Sequence, residues 1–100
     1  LFIPRSFSPN GDGLNDVFQI VGEKISPEGF EFVVFDRWGH KVFYTKNPEF
    51  GWDGKRISNG EYVNAGSYPF LLHYRDNQDE PKKISGSIMV GKTGNPTGLK

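Results

Sequence analysis

Short apolar runs rich in Phe, Val, Ile and Tyr recur along the chain, separated by clusters of Gly, Pro and Asn. That rhythm predicts strands and no helix. Ile3 to Phe7 reads as an entry strand interrupted by Pro4, and Asp16 to Val21 as the strand leaving the first polar loop. Phe30 to Asp36 is the most apolar segment, with Phe30, Phe32 and Val34 on one face and Val33 and Phe35 on the other. A strand apolar on both faces belongs inside a sheet, not at its edge. His40 to Thr45 follows after Arg37-Trp38-Gly39, a connection short enough for an antiparallel hairpin with glycine in the left-handed position. Lys46 to Gly60, rich in Asn, Pro and Gly, reads as a long loop pinned by an inserted indole at Trp52-Asp53-Gly54. Gly66 to Tyr74 resumes the alternation, with Tyr68, Phe70, Leu72 and Tyr74 on one side; Pro69 within it predicts an edge or a bulge. Asp76 to Pro81 is a polar turn. Lys83 to Val90 closes the pattern, Ile84, Gly86, Ile88 and Val90 alternating against Ser85, Ser87 and Met89. About six or seven strands of this kind predict an all-β antiparallel sandwich.

Composition narrows the class of protein. One hundred residues form a single domain, which buries roughly 60 to 65% of the unfolded chain's surface. Nine Phe, four Tyr and two Trp supply the core, each large apolar side chain contributing about 1.5–3 kcal/mol when buried. Twelve basic residues balance twelve acidic ones, so net charge gives no attraction to nucleic acid or anionic lipid. The absence of cysteine excludes disulfides and thiolate metal sites and leaves the redox compartment open. No apolar run approaches the roughly 20 residues of a transmembrane segment. The start at Leu1, with neither an initiator Met nor a signal segment, reads as a cut from a longer polypeptide.

The polar loop from Ser8 to Asp16, SPNGDGLND, carries the most chemistry. Its Asn and Asp side chains can bond their own main chain, and its glycines reach positive φ, which makes a self-satisfied turn one reading. The other is a structural calcium site, because Ser8, Asn10, Asp12 and Asp16 offer oxygens at calcium-loop spacings with Gly13 at the sharp turn. The Leu14 carbonyl or Asp53 would complete it. Ser8 and Gln19 stand where a full loop of that type has its first carboxylate and its last Glu, and no cofactor is otherwise required.

Trp38 and Trp52 fit core packing in so small a sandwich, with sugar stacking as the competing use of an exposed indole. Asp53 is expected to bond main-chain groups around Gly54, and Asp36 with Arg37 to cap the hairpin or form a surface pair. An enzyme is disfavoured. There is no glycine-flanked serine elbow, no cysteine, and only His40 beside a turn and His73 within a strand. NGDG also lacks the Lys and Ser/Thr of a phosphate loop.

In order along the chain stand IPRSF, SPNGDGLND, FDRWGHKVF, GWDGK, AGSYPF and SGSIMV. This series resembles the type B C-terminal sorting domain of the type IX secretion system, found in gliding-motility-associated surface proteins of Bacteroidetes-type bacteria. The resemblance spans about Leu1 to Val90. It implies an immunoglobulin-like β-sandwich over residues 1–90; residues 91–100, beyond the resemblance, read as a flexible tail or an expression remnant. It also implies a non-catalytic signal that leads an N-terminal passenger region through the periplasm, across the outer membrane and to the cell surface or extracellular space. The outer-membrane type IX machinery would be the partner.

Strand order together with the resemblance marks two contact elements. One is the hairpin tip Arg37-Trp38-Gly39; the other is the last strand at Ser87, Ile88, Met89 and Val90, whose edge could accept strand addition. The chain departs from the family pattern in three places: Pro69 inside its strand, the lengthened loop Glu61 to Asn64, and the tail. A carbohydrate-binding or adhesive accessory module is the rival from another class, and a structural spacer resembling the module of flagellar hook-capping proteins is a second.

Overall fold

The computed structural model describes residues 2–9, 17–22, 25–76 and 78–91. Every regular element among them is a strand: β1 (Ser6–Phe7), β2 (Glu31–Phe35), β3 (Lys41–Thr45), β4 (Gly66–Arg75) and β5 (Pro81–Val90). They form one five-stranded sheet in the order β1-β5-β4-β2-β3. The sheet is mixed, since β1 runs parallel to β5 while the other neighbours are antiparallel. The all-β class is observed. Among the described residues, however, the strands number five in a single sheet, against the six or seven expected in two layers.

The shortfall lies in the first third of the chain. Ile3 to Phe7 contributes only the two residues of β1, because Pro4 has no N–H to give a ladder. Asp16 lies outside the described residues, and among the described residues 17–22 pair through isolated bridges, Phe18 with Trp52 and Phe2 with Val21. Their partners belong to other connecting segments, so neither pairing extends into a ladder.

The interior strands follow the sequence closely. β2 lies between β4 and β3, as its two apolar faces require. Phe30, Phe32 and Val34 enter the main core, and Val33 is buried on the opposite face. The β2–β3 register shifts between Val34 and Phe35, which leaves Phe35 opposite Lys41. Such a slip lets sequence neighbours Val42 and Phe43 both reach the core. Tyr68, Phe70 and Leu72 of β4 and Ile88 and Val90 of β5 are buried, whereas Ser85, Ser87 and Met89 are exposed.

Pro69 corrects its expectation: β4 has neighbours on both sides, and its ten-residue register with β5 runs through Pro69–Ser87 without a bulge. The proline is tolerated because it stands one residue past the last β2 pair, Val34–Phe70. There its missing N–H deprives no partner.

Connecting segments close the core over the sheet. Trp52 is fully buried, its ring 5.3 Å from Phe7, 5.9 Å from Tyr68 and 6.1 Å from Phe43, centroid to centroid. Its indole N–H donates to the Lys55 carbonyl at 3.0 Å. Phe18 stacks on Phe32 at 5.6 Å, and its main chain exchanges two 2.8 Å hydrogen bonds with Trp52. The Lys46–Gly60 loop is therefore pinned by an inserted indole, as its sequence indicates. Asp53 also accepts the Lys55 N–H at 3.1 Å.

Replacing Trp52 with Ala should cost about 3–5 kcal/mol in denaturant unfolding, as for other fully buried large aromatics, and Trp52→Phe clearly less. Gly51 tests the same junction from the backbone. A Cβ there would stand 2.9 Å from the Phe18 carbonyl oxygen, so Gly51→Ala should lose about 1–3 kcal/mol, the usual cost of overpacking.

Candidate recognition surface

The β2–β3 hairpin tip is built on one aspartate. Asp36 is 5% exposed, and its Oδ1 accepts the Trp38 and His40 N–H groups at 2.9 Å each. The Asp36 carbonyl accepts from Gly39, and the Asp36 N–H donates to the His40 carbonyl. Gly39 closes the turn at φ +83°, a conformation that costs glycine little. Asp36 thus caps the hairpin as its sequence position suggested, but its ionic partners are Arg56 and His40, each 3.5 Å from Oδ2, and not Arg37.

Arg37 and Trp38 are carried outward by this turn. Trp38 is 70% exposed, which overturns its expected place in the core: its main chain is held by Asp36 in the turn, and the indole is left in solvent. The Arg37 guanidinium lies 5.3 Å from the centre of the Trp38 ring, within cation–π reach. With Trp52 buried and Trp38 exposed, the two indoles do not share the open face that sugar stacking would use.

Beside the tip is a polar pocket of about 290 Å³, lined in part by Asp36, Arg37, Trp38, Arg56, Ser67 and Tyr68. Arg56 comes from the connection after Trp52, which is tied to β3 by the Ile57 N–H bonded to the Val42 carbonyl. Tyr68 donates its hydroxyl to the Asn64 carbonyl at 2.6 Å, fixing the opposite wall, and burial raises its pKa. Arg56 is a residue that sequence reasoning missed. Nothing in its local motif signals that the loop folds back onto Asp36.

The last strand is placed differently from its expectation. Ile88 and Val90 face the core, and Met89 and Val90 register with Ser6 and Phe7 of β1. The Met89 N–H donates to the Arg5 carbonyl and the Gly91 N–H to the Phe7 carbonyl. By strand alternation, the N–H groups of Lys83, Ser85 and Ser87 point the same way, beyond the two-residue reach of β1. Among the described residues, the part of this edge without a strand partner is therefore Pro81 to Ser87, which shares only Ser87 with the stretch Ser87–Val90.

Of the calcium-loop set, Ser8 is half-buried near Gly91. Asn10, Asp12, Leu14 and Asp16 lie outside the described residues, as does Gly13. A second polar cluster, absent from the motif reading, occupies the sheet face away from the main core. The Tyr44 hydroxyl donates to Glu31 at 2.6 Å, and His73 Nδ1 lies 3.5 Å from the same carboxylate. The tyrosine hydrogen bond lowers the Glu31 pKa, and Glu31 in turn raises that of Tyr44.

Burial acts to raise the Asp36 pKa, but the His40 and Trp38 backbone donors and the neighbouring cations outweigh it, leaving the carboxyl below its ordinary 3.8. A depressed carboxyl contributes stability that is fully present above the unfolded-state value and lost as pH falls through the folded one. Denaturant unfolding should therefore be insensitive to this group at neutral pH and weaken below 3.8. Asp36→Asn should lower neutral-pH stability and flatten that acid limb, both measurable from unfolding midpoints across pH.

Comparison with known proteins adds what geometry cannot. Residues 1–90 match the family model of the CHU_C type IX secretion signal domain. No curated protein matches the chain. With 90 of its 100 residues covered by that model, the chain belongs to the family of type IX secretion signal domains.

Proposed function

We propose that this domain is the folded export address of a larger polypeptide. The type IX machinery reads its shape and carries an N-terminal passenger through the periplasm and across the outer membrane, to the cell surface or extracellular space. The observation that carries the reading is the family match over residues 1–90. A role without catalysis agrees with the family and with a site made of a hydrogen-bonded turn and a polar pocket. The strands and the bridged segments over their core face constitute, on this reading, an immunoglobulin-like sandwich whose second layer is held by the pairings Phe2–Val21 and Phe18–Trp52.

Two elements are suited to recognition. The tip presents a Trp and an Arg, the residue types that most often dominate binding energy, on a turn that loses little freedom when bound. The β5 edge presents outward N–H groups in a row, the requirement for strand addition.

Fusing residues 1–100 behind a periplasm-targeted reporter, in a host that has this secretion system, should deliver the reporter to the surface or medium. Retention in the periplasm would count against the reading. Ser85→Pro removes one outward N–H without touching the β4 ladder. It should leave the folded domain intact by circular dichroism and lower export if the machinery adds a strand at this edge.

A further inference from the structure

The recognition reading leaves open what chemistry the tip pocket accepts, and its charges define it. Asp36 is the acidic side chain in the lining, and its capacity is committed inward: Oδ1 to two backbone N–H groups, and Oδ2 facing Arg56 and His40. Arg37 forms no ion pair among the described residues, its guanidinium resting on the indole edge of the pocket. The whole chain carries formal net charge +0, so this excess of guanidinium over free carboxylate is local. Asn64 and Ser67 add neutral polar groups to the walls, and the exposed Trp38 forms an apolar rim.

We propose that this pocket receives a carboxylate side chain from an acidic segment of the secretion machinery, held by the Arg37 guanidinium while Arg56 stays on Asp36, with the neighbouring partner residue against the Trp38 ring. The assignment rests on the recognition reading and names the chemistry of that contact. A guanidinium donates to a carboxylate through paired N–H groups, which gives direction as well as affinity. About 290 Å³ accommodates one acidic side chain and its immediate neighbour. The turn that fixes Arg37 and Trp38 is already closed by its own hydrogen bonds, so little ordering remains to be done when the segment docks.

The test uses the full 100-residue chain, isotope-labelled, at low ionic strength, titrated with N-acetyl-Asp-Glu-Asp amide and with its neutral counterpart N-acetyl-Asn-Gln-Asn amide. The acidic peptide should shift the Trp38 indole and Arg37 guanidinium resonances in a saturable way, with the buried Trp52 indole as an internal control. The neutral peptide should not. Loss of a charge-assisted hydrogen bond predicts that Arg37→Gln weakens binding about tenfold while unfolding midpoints stay unchanged.

Equal response to both peptides, no response to either, or full affinity in Arg37→Gln overturns the proposal. Saturation by sodium glucuronate with none by the acidic peptide overturns it in favour of an acidic sugar. Normal export of an Arg37→Gln reporter fusion, alongside normal export of the parent fusion, overturns the assignment to the machinery. Retention of the parent fusion overturns the broader reading and with it the partner, while the titration still decides the carboxylate chemistry.

Discussion

Trp52 donates its indole N–H to the Lys55 carbonyl while its ring touches Phe7, Phe43 and Tyr68, and its main chain pairs with Phe18. Those contacts tie the first strand, the segment after the polar loop, β3 and β4 to one point. The sheet itself covers only one side of the aromatic core. Among the described residues the other side is closed by connecting segments that meet at this buried group. A polar N–H buried with no acceptor would cost about 1–3 kcal/mol, so the local turn that brings the Lys55 carbonyl to the indole is part of the core, not an ornament of the loop.

The same economy appears at both hairpins. Asp36 accepts the N–H groups two and four residues on, and Asp76 accepts those of Gln78 and Glu80 in the same pattern at 2.9 Å. In each case the fourth residue of the turn takes positive φ, Gly39 at +83° and Asp79 at +62°. One carboxylate thus satisfies two backbone donors, and the turn needs no contact with the core to stay closed. The difference lies in what each turn carries. The β4–β5 turn presents Gln78, Asp79 and Glu80, whereas the β2–β3 turn holds Arg37 and Trp38 beside a polar pocket, which makes it the better candidate for specific recognition.

Where the sequence was legible, a local rule governed the outcome. The two apolar faces of Phe30 to Asp36 reported an interior strand, the alternation of Lys83 to Val90 reported which side chains are buried, and the Trp-Asp-Gly element reported a pinned loop. Where it was not, the deciding partner was distant in the chain. Nothing around Phe18 announces that among the described residues it pairs with Trp52 alone, so a strand and a bridged segment look alike. Trp38 has the composition of a core residue, and only the demand of Asp36 for the Trp38 and His40 N–H groups turns it outward. Arg56 enters the pocket through the long-range tie between Ile57 and Val42. The family resemblance was legible because its motifs lie in series, even though the physical role of each depends on contacts across the fold.

The open edge of β5 and the hairpin tip suit different tasks. An unpaired row of N–H groups binds any extended backbone and is a hazard for self-association, which Pro81, Lys82 and Lys83 restrain at its start. Gly86 further along has no freedom to gain a blocking side chain, because a Cβ there would stand 3.1 Å from the Phe70 ring. Among the described residues, the edge is therefore guarded at its start and has no strand partner from Pro81 to Ser87. Backbone pairing alone carries little information about the partner, while a guanidinium that grips a carboxylate through paired N–H groups is directional and selective. On the proposed export reading, the two functions are separated, with selectivity at the tip and generic backbone affinity at the edge.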